Sequence, residues 1–157
     1  MTHKELVKRA KGWLSSNQRA AIIITELHTR TTETPDAIGF IGEGGSVLIE
    51  CKASRADFLA DAQKCFRREP ERGMGDARYF MAPPGIIRED DDMHGWGVLE
   101  VTEHRVKMVR DSIRFTANKN AEIVMLMSAL RRLEISTAVF VIADLPEQPQ
   151  QSKTETE

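Results

Sequence analysis

Asp36, Glu50 and Lys52 are the residues of this chain whose types and spacing can do chemistry together. Asp36 opens the stretch Pro35-Asp36-Ala37-Ile38-Gly39-Phe40, and Glu50 and Lys52 flank Cys51 after Val47-Leu48-Ile49. Both stretches are apolar, and each carries ionisable groups where a buried strand normally has none. The Gly-rich turn Gly42-Glu43-Gly44-Gly45 joins them as a hairpin. Two registers are open. In one, Asp36 lies opposite Lys52 and Glu43-Gly44-Gly45 is the loop; in the other, slipped by two residues, Asp36 lies opposite Glu50. In either, strand alternation puts Asp36, Glu50 and Lys52 on one face, with directly opposed Cβ atoms about 4.5–5.5 Å apart. Carboxylates that close repel unless a cation lies between them. Mg²⁺ suits the arrangement, because it takes one or two carboxylates, keeps several waters and completes its shell from phosphate oxygens; Mn²⁺ can substitute. Lys52 can then hold or deprotonate the attacking water, or stabilise charge building on a scissile phosphate. The expected chemistry is phosphodiester hydrolysis. The competing reading is a salt-bridged surface hairpin.

Asp followed by Glu-X-Lys on an adjoining strand resembles the signature of the PD-(D/E)XK nuclease superfamily. More narrowly, Glu50-Cys51-Lys52-Ala53-Ser54-Arg55-Ala56-Asp57-Phe58, with Tyr79-Phe80-Met81-Ala82-Pro83-Pro84-Gly85 and Gly95-Trp96-Gly97-Val98-Leu99-Glu100-Val101 downstream, is similar to the MmcB-like DNA-repair proteins and their phage relatives. The similarity spans about residues 20–109. It implies a restriction-endonuclease-like α/β fold, with a mixed central β-sheet flanked by helices. It also implies a metal-dependent endonuclease or exonuclease acting on DNA in repair, recombination or phage metabolism, with homodimerisation possible. By the same resemblance, the main-chain carbonyl of Cys51 joins Asp36 and Glu50 as a metal ligand, and a further carboxylate comes from the N-terminal region. Glu26, carried on a strand, is favoured for that role over Glu5 on the first helix. Replacing Lys52 with Ala is expected to abolish cleavage and leave the fold nearly intact.

At 157 residues the chain is long enough for one domain with its own core, expected over residues 1–145, with a polar disordered tail at 146–157. Its formal charge of −2, from 22 basic and 24 acidic residues, excludes a broadly basic coat, so DNA binding must rest on a local patch. Two cysteines, Cys51 and Cys65, are too few for a zinc ribbon or disulfide framework and read as buried thiols. With no signal peptide or membrane-length apolar run, the expected location is cytoplasmic.

Several elements must position the hairpin. Leu6, Val7, Ala10, Trp13 and Leu14 recur at helical spacing over residues 3–14, with Lys4, Lys8 and Lys11 opposite. The aliphatic run at 20–27 reads as a buried strand that delivers Glu26. Ser54 and Asp57 form a capping-box pattern opening a helix whose apolar face is Phe58, Leu59, Ala62, Cys65 and Phe66. Asp57, Asp61, Lys64, Arg67 and Arg68 fall on its outer face. Arg55, Lys64, Arg67 and Arg68 on this helix are the candidate nucleic-acid contacts, with Gln63 an alternative to Lys64. Strands follow at 77–82, 97–101 and 105–109, and a helix at 118–133 with Ile123, Val124, Leu126, Met127 and Leu130, its Met125 and Met127 expected to fill the core. Residues 88–94, Arg-Glu-Asp-Asp-Asp-Met-His, read as a solvated loop. The apolar run 135–142 either prolongs the last helix or forms a strand. A second class of reading is a nucleic-acid-binding or assembly protein that keeps the nuclease-like fold without its chemistry. A third, an enzyme of small phosphate esters, would need an enclosed pocket.

Overall fold

The computed structural model describes residues 1–31, 33–61 and 64–133, with the backbone alone for Cys65 and Phe66. The first helix, α1 (His3–Ser16), starts with a capping box: the Glu5 N–H donates to Thr2 Oγ1 at 3.3 Å and the Thr2 N–H to Glu5 Oε2 at 2.7 Å. Its buried stripe is Leu6, Val7, Ala10, Trp13 and Leu14, as the spacing predicts.

The sheet has six strands in sequence order: β1 (Ile22–Thr25), β2 (Ala37–Phe40), β3 (Ser46–Cys51), β4 (Ala77–Ala82), β5 (Gly97–Val101) and β6 (Val106–Arg110). The pairings β1–β2, β2–β3 and β5–β6 are antiparallel, whereas β3–β4 and β4–β5 are parallel. Alternation divides the strand side chains between two cores. Ala37, Val47, Ile49, Cys51, Tyr79, Met81 and Leu99 pack under α1. Ile38, Leu48, Phe80 and Val98 face the other way, against Phe58 of α2 (Arg55–Asp61) and Met125 of α4 (Lys119–Arg132). The fold is thus α/β, a mixed sheet with helices on both faces.

Of the two registers open in the sequence, β2 and β3 adopt the slipped one, Ala37↔Ile49 and Ile38↔Leu48, which extends to Asp36 opposite Glu50 rather than Lys52. The reason is the turn: a 3₁₀ turn at Gly42–Gly44, closed by an Ile41 N–H to Gly45 carbonyl bond of 2.9 Å, ends the strands at Phe40 and Ser46. Two expectations about the elements need correction. First, the helix after Lys52 is not one helix: α2 (Arg55–Asp61) and a short helix α3 (Cys65–Arg68) are separate, and Lys64 before α3 is not helical. The Lys64 N–H bonds the Asp61 carbonyl at 3.0 Å and the Arg67 N–H bonds that of Lys64 at 3.0 Å, tight turns that let Asp61 and Arg67 both go inside.

Second, α4 buries Met125, as expected, but with it Glu122, while Ile123, Val124, Met127 and Leu130 are exposed. Its orientation is set by a polar anchor that periodicity does not reveal. Glu122 Oε1 accepts from Ser46 Oγ at 2.6 Å and from the Gly75 N–H at 2.9 Å, and Lys119 Nζ bridges Glu122 and Asp76 at 3.0 and 2.6 Å. Leaving those groups unpaired inside would cost more than exposing four apolar side chains partway.

The connection into β4 is fixed by Arg78, fully buried, whose guanidinium donates to the carbonyls of Gly75, Pro70 and Gly73 at 2.9, 2.7 and 3.0 Å. Gly75 itself has φ +86°, and a Cβ there would stand 2.6 Å from Leu48 Cβ, so only glycine fits. No described helix is long and apolar enough to cross a membrane. The run 135–142 and the polar tail lie outside the described residues.

Candidate active site

Glu50, at the end of β3, is 2% exposed, and Lys52, just past the strand, is 3% exposed. Alternation puts both on the face away from α1, while the Cys51 side chain is buried on the α1 side. Burial, together with the charges of Asp36 and Glu50, pushes the Cys51 thiol well above its ordinary range, so it has no thiolate chemistry. Its backbone has a different use. The Cys51 N–H donates to Asp36 Oδ2 at 2.7 Å and pins that carboxylate to β3.

The carboxylate pair expected from the sequence is therefore present. Burial first, and then the charge of Glu50, push the Asp36 carboxyl up to about 6, against the Cys51 N–H, His3 and Lys52, which favour the anion. Glu50 Oε2 accepts from Lys52 Nζ at 3.3 Å and from Lys64 Nζ at 3.1 Å, while Glu50 Oε1 is buried without a hydrogen-bond partner among the described residues.

Asp61, which helical periodicity assigns to the outer face of its helix, is 2% exposed and belongs to this cluster. Lys52 Nζ lies 2.7 Å from Asp61 Oδ1, Lys64 Nζ lies 2.8 Å from the same oxygen, and Arg67 pairs with Oδ2. Burial opposes its ionisation, but the hydrogen bond and charge of Arg67, with Lys52 beside them, hold Asp61 well below the usual carboxylate range. Lys52 is thus part of a buried ion network. Its removal is therefore expected to destabilise the fold as well as remove the chemistry, because two buried carboxylates share its ammonium.

Two further residues belong to the site that the sequence pattern does not single out. His3 Nε2, on the first turn of α1, lies 3.3 Å from Glu26 Oε1 and 3.5 Å from Asp36 Oδ1. It joins the favoured N-terminal carboxylate to the hairpin. Glu26, the residue after β1, lies in the left-handed region, φ 49°, with its side chain 54% exposed. Glu5 is engaged in the α1 capping box instead. Glu33, in the loop before β2, is 2% exposed; Oε2 accepts from the Met74 N–H at 2.6 Å and Oε1 has no hydrogen-bond partner among the described residues. Burial raises the Glu33 carboxyl to about 7, aided by the charge of Glu50 and offset in part by the Met74 N–H, Arg78 and Arg67. No pattern in the sequence marks either residue, since both reach the site through tertiary packing.

The basic residues expected to touch nucleic acid divide. Arg68 is exposed. Lys64 has a side chain 40% exposed and is committed to Glu50 and Asp61. Arg67 is a correction: it is 5% exposed, with its guanidinium 3.6 Å from the Trp96 ring centroid and paired to Asp61, so it supports the site from inside. Arg55 forms a bidentate pair with Asp91 and donates to the Ile86 carbonyl at 3.0 Å, which ties the 88–94 loop to α2. That loop is therefore anchored through Asp91, while Glu89, Asp90 and Asp92 are exposed as expected. Ser54 caps α2 as the sequence predicts, its Oγ accepting from the Asp57 N–H at 3.2 Å.

No group of three His, Cys, Asp or Glu side chains among the described residues is arranged to hold a metal on its own. What is present suits a cation that needs little from the protein. There are two neighbouring carboxylates, Asp36 raised by burial and then by the charge of Glu50, and a buried Glu50 oxygen without a hydrogen-bond partner among the described residues; Mg²⁺ takes one or two carboxylates and keeps its waters. The large groove of the described surface, about 800 Å³ between α1 and the β5–β6 turn, is not lined by Asp36, Glu50 or Lys52.

No family model matches the chain, and no curated protein does. Among solved structures, a protein of unknown function from Silicibacter pomeroyi is similar in fold, with TM-score 0.62 and 20% sequence identity over 85% of this chain and 90% of that one.

Proposed function

We propose that the chain hydrolyses DNA phosphodiester bonds at the Asp36–Glu50–Lys52 site, on a restriction-endonuclease-like version of its α/β fold. The observation that carries this reading is the β2–β3 register, which continued one pair beyond Ala37↔Ile49 sets Asp36, just before β2, against Glu50, with Lys52 3.3 Å from Glu50. Asp36, Glu50 and the Cys51 main-chain carbonyl would hold Mg²⁺ or Mn²⁺, which supplies Lewis-acid stabilisation of the phosphate and an acidified water. The Cys51 N–H fixes the rotamer of Asp36. Lys52 carries a proton or a positive charge to the scissile phosphate, and Asp61, itself fixed by Arg67, holds its ammonium in place. The His3 contact to both Asp36 and Glu26 favours Glu26 over Glu5 as the additional acidic residue. A role in repair, recombination or phage DNA metabolism rests on the resemblance of the sequence blocks.

A second reading, a nucleic-acid-binding or assembly protein with a silent site, draws on one observation: Lys52 is held by Asp61 at 2.7 Å, closer than by Glu50. The two are separated by a cleavage panel of linear, nicked, single-stranded and branched DNA with Mg²⁺, Mn²⁺ or EDTA, run beside Asp36→Ala. Metal-dependent cutting lost in the variant supports the nuclease. DNA retained at low salt with no cutting of any substrate supports the silent protein.

A further inference from the structure

Two ammonium groups bridge the same two carboxylate oxygens beside the candidate metal position. Lys52 Nζ lies 3.3 Å from Glu50 Oε2 and 2.7 Å from Asp61 Oδ1; Lys64 Nζ lies 3.1 Å and 2.8 Å from those same atoms. Their surroundings differ sharply. The Lys52 side chain is 4% exposed and the Lys64 side chain 40% exposed, although the carboxylates they share are 3% and 1% exposed. Lys52 enters from the strand that carries Glu50, whereas Lys64 reaches in from the tight turn between α2 and α3.

We propose that Lys64 is a built-in counter-ion of Glu50 that a divalent cation displaces, so that the site is charge-balanced with the Lys64 ammonium when metal is absent and with metal and a phosphodiester when substrate is bound. The inference rests on the metal-dependent reading above and deepens it. Charge balance carries it. Asp36, Glu50 and Asp61 bring three negative charges when ionised, and Lys52, Lys64 and Arg67 bring three positive ones. A divalent cation at Asp36 and Glu50 leaves two positive charges in excess, in a region where buried charges must be compensated. Lys52 and Arg67 cannot withdraw without leaving the interior, but Lys64 already has solvent beside it. Its release removes one of the two excess charges, and a bound phosphodiester supplies the compensation for the other.

The test is divalent-cation affinity, read by calorimetric titration of Mn²⁺ and by metal-induced shifts in Tm, with no activity measurement. Lys64→Met and Lys64→Gln remove the charge, Lys64→Arg keeps it, and Asp36→Ala identifies the site. Loss of one charge-assisted hydrogen bond from the competitor predicts Mn²⁺ binding about tenfold tighter in Lys64→Met and Lys64→Gln, with Lys64→Arg close to wild type. Metal should also raise the Tm of the two neutral variants by more than it raises that of wild type. Equal or weaker Mn²⁺ binding in both folded neutral variants, with wild-type binding still lost in Asp36→Ala, overturns the exchange and leaves the metal site standing. Absence of Mn²⁺ binding from every protein, or binding unaffected by Asp36→Ala, overturns both.

Discussion

Glu33 makes folding stability fall as pH rises across the neutral range. It is buried, and its carboxyl is raised from an ordinary 4.5 to about 7. Between those values the folded chain keeps a proton that the unfolded chain has released, so stability declines with increasing pH and levels off above the folded value. A tenfold difference in proton affinity between the folded and unfolded chain is worth about 1.4 kcal/mol, which for Glu33 gives a loss of about 2.5 kcal/mol between pH 5 and pH 8. Asp36, raised from 3.8 to about 6, has the same sign over a lower window and adds about 1–1.5 kcal/mol over that span, most of it below pH 6. Asp61, which is lowered, acts oppositely, and its contribution is lost only in acid, below the usual carboxylate range. The assay is equilibrium unfolding in urea at pH 5, 6, 7 and 8, at fixed ionic strength with EDTA present. Wild type should lose about 4 kcal/mol over the series, and Glu33→Gln, which keeps an acceptor for the Met74 N–H, should lose only about 1–1.5 kcal/mol. A wild-type stability that is flat or rises with pH would overturn this assignment to Glu33, as would the same decline in Glu33→Gln.

Asp61→Asn should cost about 3–5 kcal/mol in the same unfolding assay near neutral pH, since Lys52 and Arg67 lose their common buried counter-ion; a loss under about 1 kcal/mol would contradict the network. Lys52→Ala should abolish cleavage and also destabilise, by about 1–3 kcal/mol rather than the full cost of a broken buried pair, because Lys64 still reaches Glu50 and Asp61 and Arg67 still reaches Asp61. Unchanged cleavage in that variant would remove Lys52 from the mechanism.

Local rules make much of this fold legible. The α1 stripe, the Ser54 cap and the strands around Val47-Leu48-Ile49 follow from periodicity and capping, and each forms as those rules require. Alternation alone places Glu50 and Lys52 opposite Cys51. The register of β2 on β3 is ambiguous in the sequence because both pairings keep the same residues on the same face; the 3₁₀ turn at Gly42–Gly44 decides it. What is not legible shares one physical cause, namely buried polar groups whose partners are distant in sequence or lie across a break in a helix. Glu122 turns α4 by bonding Ser46 and Gly75, Asp61 ends α2 by facing Lys52 and Arg67, and Arg67 leaves the surface for Trp96. In each case a charged residue that pattern reading assigns to solvent is drawn inside by a partner, and the apolar pattern of its helix gives way.

If Glu50, with Asp36 and Lys52, cuts DNA, removing its charge must stop the reaction without unfolding the chain. The most direct test is single-turnover cleavage by Glu50→Gln, using the substrate on which wild type is most active and Mg²⁺ in excess, after circular dichroism has matched the folds of the two proteins. The expected rate is reduced at least about a hundredfold, because the amide removes a charge that would hold the metal. Cleavage by folded Glu50→Gln at the wild-type rate would place the chemistry elsewhere and contradict the proposed site.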